Sequence, residues 1–323
     1  MPHLARWFFV PWLCGCAEGF DLVPPTVDED RSLPALEWNG SRFHVVREGA
    51  DDGTPIVFLA GGPGNDASYL RRLDTTCDGR WLGEDHPLVF WDQRGCGLSR
   101  RHRDDLLEME VFREDLDGLV DLLDPAREGV ILVGHSWGGM FATDYTDRHP
   151  ERVRGLVLLE PGELTQELLD DNPTPSIVTP ASEWVNDFGW GQELVTLDDH
   201  ARLDFYALLA AKDAQAYRVN REEAPSVRLG GAVIRQSFLG NFYPPDYDFT
   251  RNLDRFTTEV LVIAGDTPTS DLGAALQRRQ LPFFVAATLE VFTGDGHTDV
   301  VWADGCRAAG SIADYLARIE DDR

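Results

Sequence analysis

The sequence predicts an α/β protein: a mostly parallel central sheet flanked by helices, with an inserted, mainly helical cap. Three observations predict it. Short apolar runs, most of them stopping at Gly, Asp or Glu, recur along the chain, as strands buried on both faces do. Segments with apolar residues at helical spacing lie between them, and strands alternating with helices imply a parallel sheet covered on both sides. One stretch, 161–249, breaks the alternation.

Taken in order, residues 1–16 start with His3 and Arg6, run through the apolar 7–13 and end in Leu13-Cys14-Gly15-Cys16. A basic start, an apolar stretch and a small residue before a cleavage point resemble a secretory signal. The ending resembles that of a bacterial lipoprotein, with Cys16 as the lipidated residue. The expectation is export and a lipid anchor at the cell envelope; without a working signal the protein is cytoplasmic. Residues 17–39, with Pro24, Pro25 and Pro34 among acids, read as a solvated tether. The core then occupies 40–160 and 250–323. Its strand runs are 56–59, 88–91, 130–133, 156–159, 260–263 and the more mixed 289–292. Met109, Phe112, Leu116, Leu119 and Leu123 recur at helical spacing until Asp124-Pro125, which ends a helix. A second helix starts near Met140, and Ile312, Tyr315, Leu316 and Ile319 mark the last one. Residues 161–249 are rich in aromatic and acidic residues, with helical pieces such as 203–211 but no clear buried strand; they read as the cap.

Composition narrows the function. At 323 residues with 43% hydrophobic and 26% charged, the chain can bury a sizeable core and is neither collagen-like nor wholly disordered. No stretch approaches the roughly 18 to 20 apolar residues of a membrane span. A formal net charge of −27 repels nucleic acid and anionic lipid, so the expected partner is a small molecule or short peptide, with membrane contact only through the anchor. The five cysteines, Cys14, Cys16, Cys77, Cys96 and Cys306, have no zinc-type spacing. Removal of the leader at Cys16 leaves three thiols and room for one internal disulfide. No metal or other cofactor is expected.

The strongest chemical signal is Gly134-His135-Ser136-Trp137-Gly138-Gly139 between a predicted strand and a predicted helix. That is the context of a nucleophile elbow, G-x-S-x-G, in which small flanking residues permit a tight turn that lifts the serine hydroxyl above the sheet edge. The N–H of Trp137 can then bind a developing oxyanion. Serine is a weak nucleophile at neutral pH and needs a base. In this architecture an acid and then a histidine follow the serine. His297, in Gly294-Asp295-Gly296-His297-Thr298 beyond the last strand, is the expected base. Asp266, at the end of the 260–263 strand, is the expected acid, with Asp271 and Glu160 as alternatives. The glycine cluster Ala60-Gly61-Gly62-Pro63-Gly64 lets backbone approach a ligand closely, and the second oxyanion donor is expected from Gly61 or Gly62.

These residues resemble the α/β-hydrolase fold and, within it, the proline iminopeptidases. That family carries a Gly-Gly-Pro-Gly loop, a D-Q-R-G-x-G-x-S segment and a G-x-S-W-G elbow. Here they read as Ala60 to Gly64, Asp92-Gln93-Arg94-Gly95-Cys96-Gly97-Leu98-Ser99, and Gly134 to Gly139. The resemblance covers roughly 40–160 and 250–320. It implies a Ser136-His297-Asp266 triad, an oxyanion hole of Gly61 and Trp137, and removal of an N-terminal residue, often proline, from peptides. Arg94 is expected as scaffold, a loop-fixing fork. Ala60 stands where the family has histidine, and the acid loop Gly265-Asp266-Thr267-Pro268 is about two residues short, which keeps Asp271 and Glu160 open. Cap acids would bind the substrate amine. Glu160, Glu163, Glu167, Glu222 and Glu223 are candidates by composition alone, and Gly62 is a further candidate for substrate contact.

The leading expectation is therefore a cofactor-free serine hydrolase of aminopeptidase type working through an acyl-enzyme. The same triad would serve an esterase, lactonase or amidase, because fold does not choose substrate. A non-catalytic binding protein is the remaining reading.

Overall fold

The computed structural model describes residues 23–171, 199–212, 226–267 and 272–321. Eight strands form one sheet in the order β1-β2-β4-β3-β5-β6-β7-β8. The six anticipated strands are present: β3 (Ile56–Leu59), β4 (Pro87–Trp91), β5 (Val130–His135), β6 (Val153–Leu159), β7 (Val260–Gly265) and β8 (Ala287–Phe292). These six run parallel. β3, β4, β5 and β7 are buried along their whole length, which is why their sequences are continuous apolar runs rather than alternating ones.

Two strands were not anticipated. β1 (Ala35–Trp38) and β2 (Ser41–Gly49) form a hairpin, and β2 pairs antiparallel with β4. The turn is Asn39-Gly40, both at positive φ (42° and 67°), the conformation that a two-residue hairpin asks of its central residues. β1 thus lies inside the stretch read as a tether. Residues just before it are also held: Val27 N–H donates to Leu98 O (2.8 Å), and Pro24 O accepts from Arg228 Nη1 (2.6 Å).

Successive side chains of each strand point to opposite faces, and two apolar layers follow. Val57, Leu59, Val89, Trp91, Leu132 and Leu158 pack with Phe112, Leu116 and Leu119 of α1 (Met109–Leu123) and Phe141 of α2 (Trp137–Arg148). Ile56, Phe58, Phe90, Val133, Val157 and Ile263 meet Ile312, Tyr315 and Leu316 of the last helix on the other face. Burying one such side chain contributes roughly 1.5–3 kcal/mol.

After β6 the chain leaves the sheet, and its described parts contain three helices, α3 (Gln166–Asp171), α4 (His200–Lys212) and α5 (Gly231–Phe238), with an isolated bridge between Thr165 and Asp248. β7, α6 (Ala274–Gln280), β8 and α7 (Gly305–Asp321) complete the fold. Cys77 and Cys306 form a disulfide that ties the start of α7 to the loop before β4, and Cys96 is a buried free thiol. Cys14 and Cys16, with the rest of 1–22, lie outside the described residues. No helix among the described residues is long and apolar enough to cross a membrane.

Candidate active site

The sheet register gathers the chemistry at one end. Leu59 lies beside Gly134, His135 beside Leu159, Leu159 beside Ile263, and Gly265 beside Phe292. The segments that follow those strand ends are Ala60–Gly64, Ser136, Glu160, Asp266 and the 293–297 loop. Carboxyl ends of strands are where open α/β sheets place their ligands.

Ser136 links β5 directly to α2 with φ 55° and ψ −123°. Such a conformation costs a non-glycine residue of order 1–3 kcal/mol, and the surroundings hold it. Ser136 N–H donates to Leu159 O (3.0 Å), and its carbonyl accepts from Gly139 and Met140 N–H (2.9 and 3.2 Å). Side chains at the flanking glycines would strike backbone: a Cβ on Gly134 meets Gly138 O, and one on Gly138 meets Leu59 O. Trp137 begins α2, so its N–H belongs to the first turn, where no carbonyl lies one turn back.

The carboxylate against His297 is that of Glu160. Glu160 Oε2 lies 2.7 Å from His297 Nδ1, and Oε1 accepts from Gly265 N–H at 2.5 Å. Glu160 is 0% exposed and His297 5%. The expectation for Asp266 differs from this arrangement: its Oδ1 accepts from Gly294 N–H (2.8 Å) and the residue is exposed. The physical reason is local. Glu160 leaves β6 at positive φ (42°) with its N–H bonded to Ile263 O (2.9 Å), which turns its longer side chain across the end of β7. With the β7 end covered by Glu160, Asp266 faces the 293–294 turn instead. Asp271 lies outside the described residues.

Gly61 also departs from expectation. Its N–H donates to Tyr69 Oη (2.8 Å) rather than pointing to solvent. A Cβ there would stand 3.0 Å from Ser136 Cβ, so the backbone lies against the serine. Gly62 is exposed, at φ 118°, before a cis bond to Pro63. Tyr69 Oη lies 2.8 Å from His135 Nδ1, His135 Nε2 lies 3.0 Å from His297 O, and the two imidazoles stack at 4.6 Å. Burial, then the neighbouring His297 charge, pushes His135 down to about 3. Neither Tyr69 nor His135 was singled out from the sequence. The only available signal was the position of His135 beside the serine.

The D-Q-R-G segment braces these loops. Gln93 receives Trp137 Nε1–H (3.3 Å) and donates to Ala60 O (3.2 Å), joining the serine turn to the glycine loop. Asp92 accepts from Ala67 and Leu98 N–H and meets His44 Nδ1. Arg94, 2% exposed, forks onto Asp115 of α1 at 2.6 and 2.7 Å and donates to Asn39 O. It is a scaffold residue by geometry.

Of the candidate amine-binding acids, Glu160 is committed to His297. Glu163 is buried on the same segment, and Gly162 N–H donates to Ser136 O (3.4 Å), which keeps that segment beside the serine. Tyr247 Oη donates to Glu163 O (3.1 Å). Burial and, in part, the Glu163 charge push the Tyr243 and Tyr247 hydroxyls up. Glu167 is exposed on α3, and Glu222 and Glu223 lie outside the described residues. Among the described residues no group of three or more His, Cys, Asp or Glu could hold a metal ion.

A family model for the alpha/beta hydrolase fold matches residues 54–304. The chain belongs to the alpha/beta hydrolase fold family. This hydrolase is 27% identical over 281 residues to a proline iminopeptidase of Lactiplantibacillus plantarum, covering 81% of this chain and 92% of that protein. It is 34% identical over 142 residues to a cis-3-alkyl-4-alkyloxetan-2-one decarboxylase of Shewanella oneidensis, covering 43% of this chain and 41% of that protein. Among solved structures, a proline iminopeptidase of Mycobacterium smegmatis superposes with a TM-score of 0.57 at 17% identity, covering 88% of this chain and 98% of that one; that likeness concerns the fold. The resemblance to proline iminopeptidases carried by the three motifs therefore extends over most of the chain.

Proposed function

We propose that the protein is a serine hydrolase with a Ser136-His297-Glu160 triad, acting as an aminopeptidase of proline iminopeptidase type. The observation that carries the reaction class is the buried Glu160–His297 pair at 2.7 Å, seated beside a serine held at positive φ on a strand-to-helix turn. Glu160 on Nδ1 leaves Nε2 of His297 to take the Ser136 proton, and the carboxylate stabilises the imidazolium that forms. Ser136 Oγ attacks the carbonyl carbon, and the oxyanion meets the N–H groups of Trp137 and Gly62. His297 returns the proton to the leaving amine, then activates water to cleave the acyl-enzyme.

The preference for an N-terminal residue rests on the proline iminopeptidase relatives and on Glu163, a buried acid that follows Gly162, whose N–H donates to Ser136 O. A carboxylate there would pair with a substrate ammonium in a low-dielectric site. In this reading 161–249 is the cap that selects the substrate.

The test compares prolyl and alanyl p-nitroanilides with short p-nitrophenyl esters on the full chain, with Ser136→Ala as the blank. Fast release from the free-amine anilides, lost when the amine is blocked, is the expected result. Glu163→Gln should raise KM for the anilides and leave ester hydrolysis unchanged. Activity confined to esters would sink the aminopeptidase assignment and leave the triad in place.

A further inference from the structure

Behind Ser136 a chain of hydrogen bonds connects the two loops that the proposed acyl transfer needs. Its directions follow once His135 is neutral, the form that its burial favours. A carbonyl oxygen only accepts, so the 3.0 Å contact between His135 Nε2 and His297 O requires the proton on Nε2. A neutral imidazole then presents a lone pair at Nδ1. The Tyr69 hydroxyl at 2.8 Å must donate into it, which leaves the phenolic lone pairs to accept Gly61 N–H at 2.8 Å. Every link has one orientation: Gly61 N–H to Tyr69 Oη, Tyr69 O–H to His135 Nδ1, His135 Nε2–H to His297 O.

We propose that Tyr69 and His135 are positioning residues for the acyl-transfer site, holding the oxyanion loop and the loop of the base in register on either side of Ser136. The inference rests on the serine-hydrolase reading above. Three consequences follow. Gly61 N–H is turned inward, so the next peptide, that of Gly62, is the one presented to the substrate. His135 holds the backbone carbonyl of His297 while Glu160 holds its ring, so the imidazole is fixed at both. His135 also stays uncharged, since its ring is stacked 4.6 Å from His297 and a second cation there would oppose the imidazolium formed during attack. Burial of the whole chain enforces this. Tyr69 is 6% exposed and His135 2%, and both groups are pushed toward their neutral forms, the phenol upward and the imidazole downward.

The decisive variant is Tyr69→Phe, which removes one hydroxyl and keeps the ring. A shift of the oxyanion loop by an ångström costs about a hundredfold, so kcat should fall about tenfold to a hundredfold while KM changes by less than about threefold. The inhibition constant of a boronic acid, which becomes tetrahedral on Ser136, should rise by the same factor as kcat/KM falls. Unchanged kcat/KM, or a loss carried by KM with boronate binding intact, would overturn the proposal.

A second arm needs no turnover. In protein labelled with 15N-histidine, His135 should show the Nε2–H tautomer and no titration from about pH 5 to about pH 9, and its Nδ1 resonance should move in Tyr69→Phe. A proton on Nδ1, or titration in that range, would refute the chain even if the protein hydrolysed every substrate offered. If the wild type neither turns over nor binds boronate, the hydrolase reading fails, and this arm still decides the hydrogen-bond order.

Discussion

In the proposed triad Glu160 carries the most weight per atom. It is a fully buried carboxylate with one oxygen on His297 and the other on a backbone N–H, so its environment fixes both the ring's tautomer and its orientation. Glu160→Gln keeps the shape and removes the charge; kcat/KM should drop by roughly ten-thousand-fold. Asp266→Asn should stay within about threefold, because the side chain is exposed and asparagine keeps an oxygen to accept from Gly294 N–H. Equal losses in steady-state assays of the two variants would contradict the geometry. The strand-to-helix turn at Ser136, the loop of His297 and the glycine loop were legible in the sequence because tight turns permit few residue types. For the acid, Asp266 was favoured with Asp271 and Glu160 open, and Glu160 is the carboxylate that meets His297. Glu160 and Asp266 both end buried strands, and the choice depends on a positive φ at Glu160, which spacing does not encode. The short acid loop was the hint, since it kept Glu160 and Asp271 open beside Asp266. Between Gly61 and Gly62 spacing could not choose, because the direction of the Gly61 N–H depends on Tyr69, eight residues later.

At the level of elements, the three motifs act through one another. Gln93 bridges the serine turn and the glycine loop, while Arg94 clamps the segment to α1 and to the β1–β2 turn through Asp115 and Asn39. The ion pair is almost wholly dry, with side chains 2% and 0% exposed. Asp115→Ala would leave a buried guanidinium unpaired and should cost about 3–5 kcal/mol in urea unfolding; a loss below about 1 kcal/mol, the figure for exposed pairs, would show that the pair is not structural. The parallel strands were legible because burial on both faces writes them as continuous apolar runs. The β1–β2 hairpin was missed because its strands are half exposed and mixed, although Asn39-Gly40 is the strongest short-range hairpin signal there is.

For the whole molecule, two long-range features set stability. The Cys77–Cys306 disulfide closes a loop of 229 residues in sequence separation. In the chain-entropy account such a closure is worth about 5 kcal/mol, so Cys77→Ser with Cys306→Ser should lower the denaturant midpoint strongly, and an unchanged midpoint would contradict a constrained unfolded state. Such a bond suits an oxidising compartment. The second feature is a pH response. His102 is pulled down to about 4, first by burial and then by Arg94 and Arg100, with its Nε2 2.7 Å from Ser41 Oγ. Between 6.5, its ordinary value, and about 4, the unfolded chain holds the proton that the folded chain refuses. Stability is therefore lost as pH falls through that window. Relative to His102→Gln, the wild-type melting temperature should decline from pH 6.5 toward pH 4, and parallel curves would contradict it. The central claim is that Ser136 is a base-activated nucleophile, and the most direct measurement is the site of covalent labelling by a fluorophosphonate. The expected result is one adduct, mapped by mass spectrometry to Ser136, absent in Ser136→Ala and formed far more slowly in Glu160→Gln. An adduct on another residue, or none on the wild type, would contradict it.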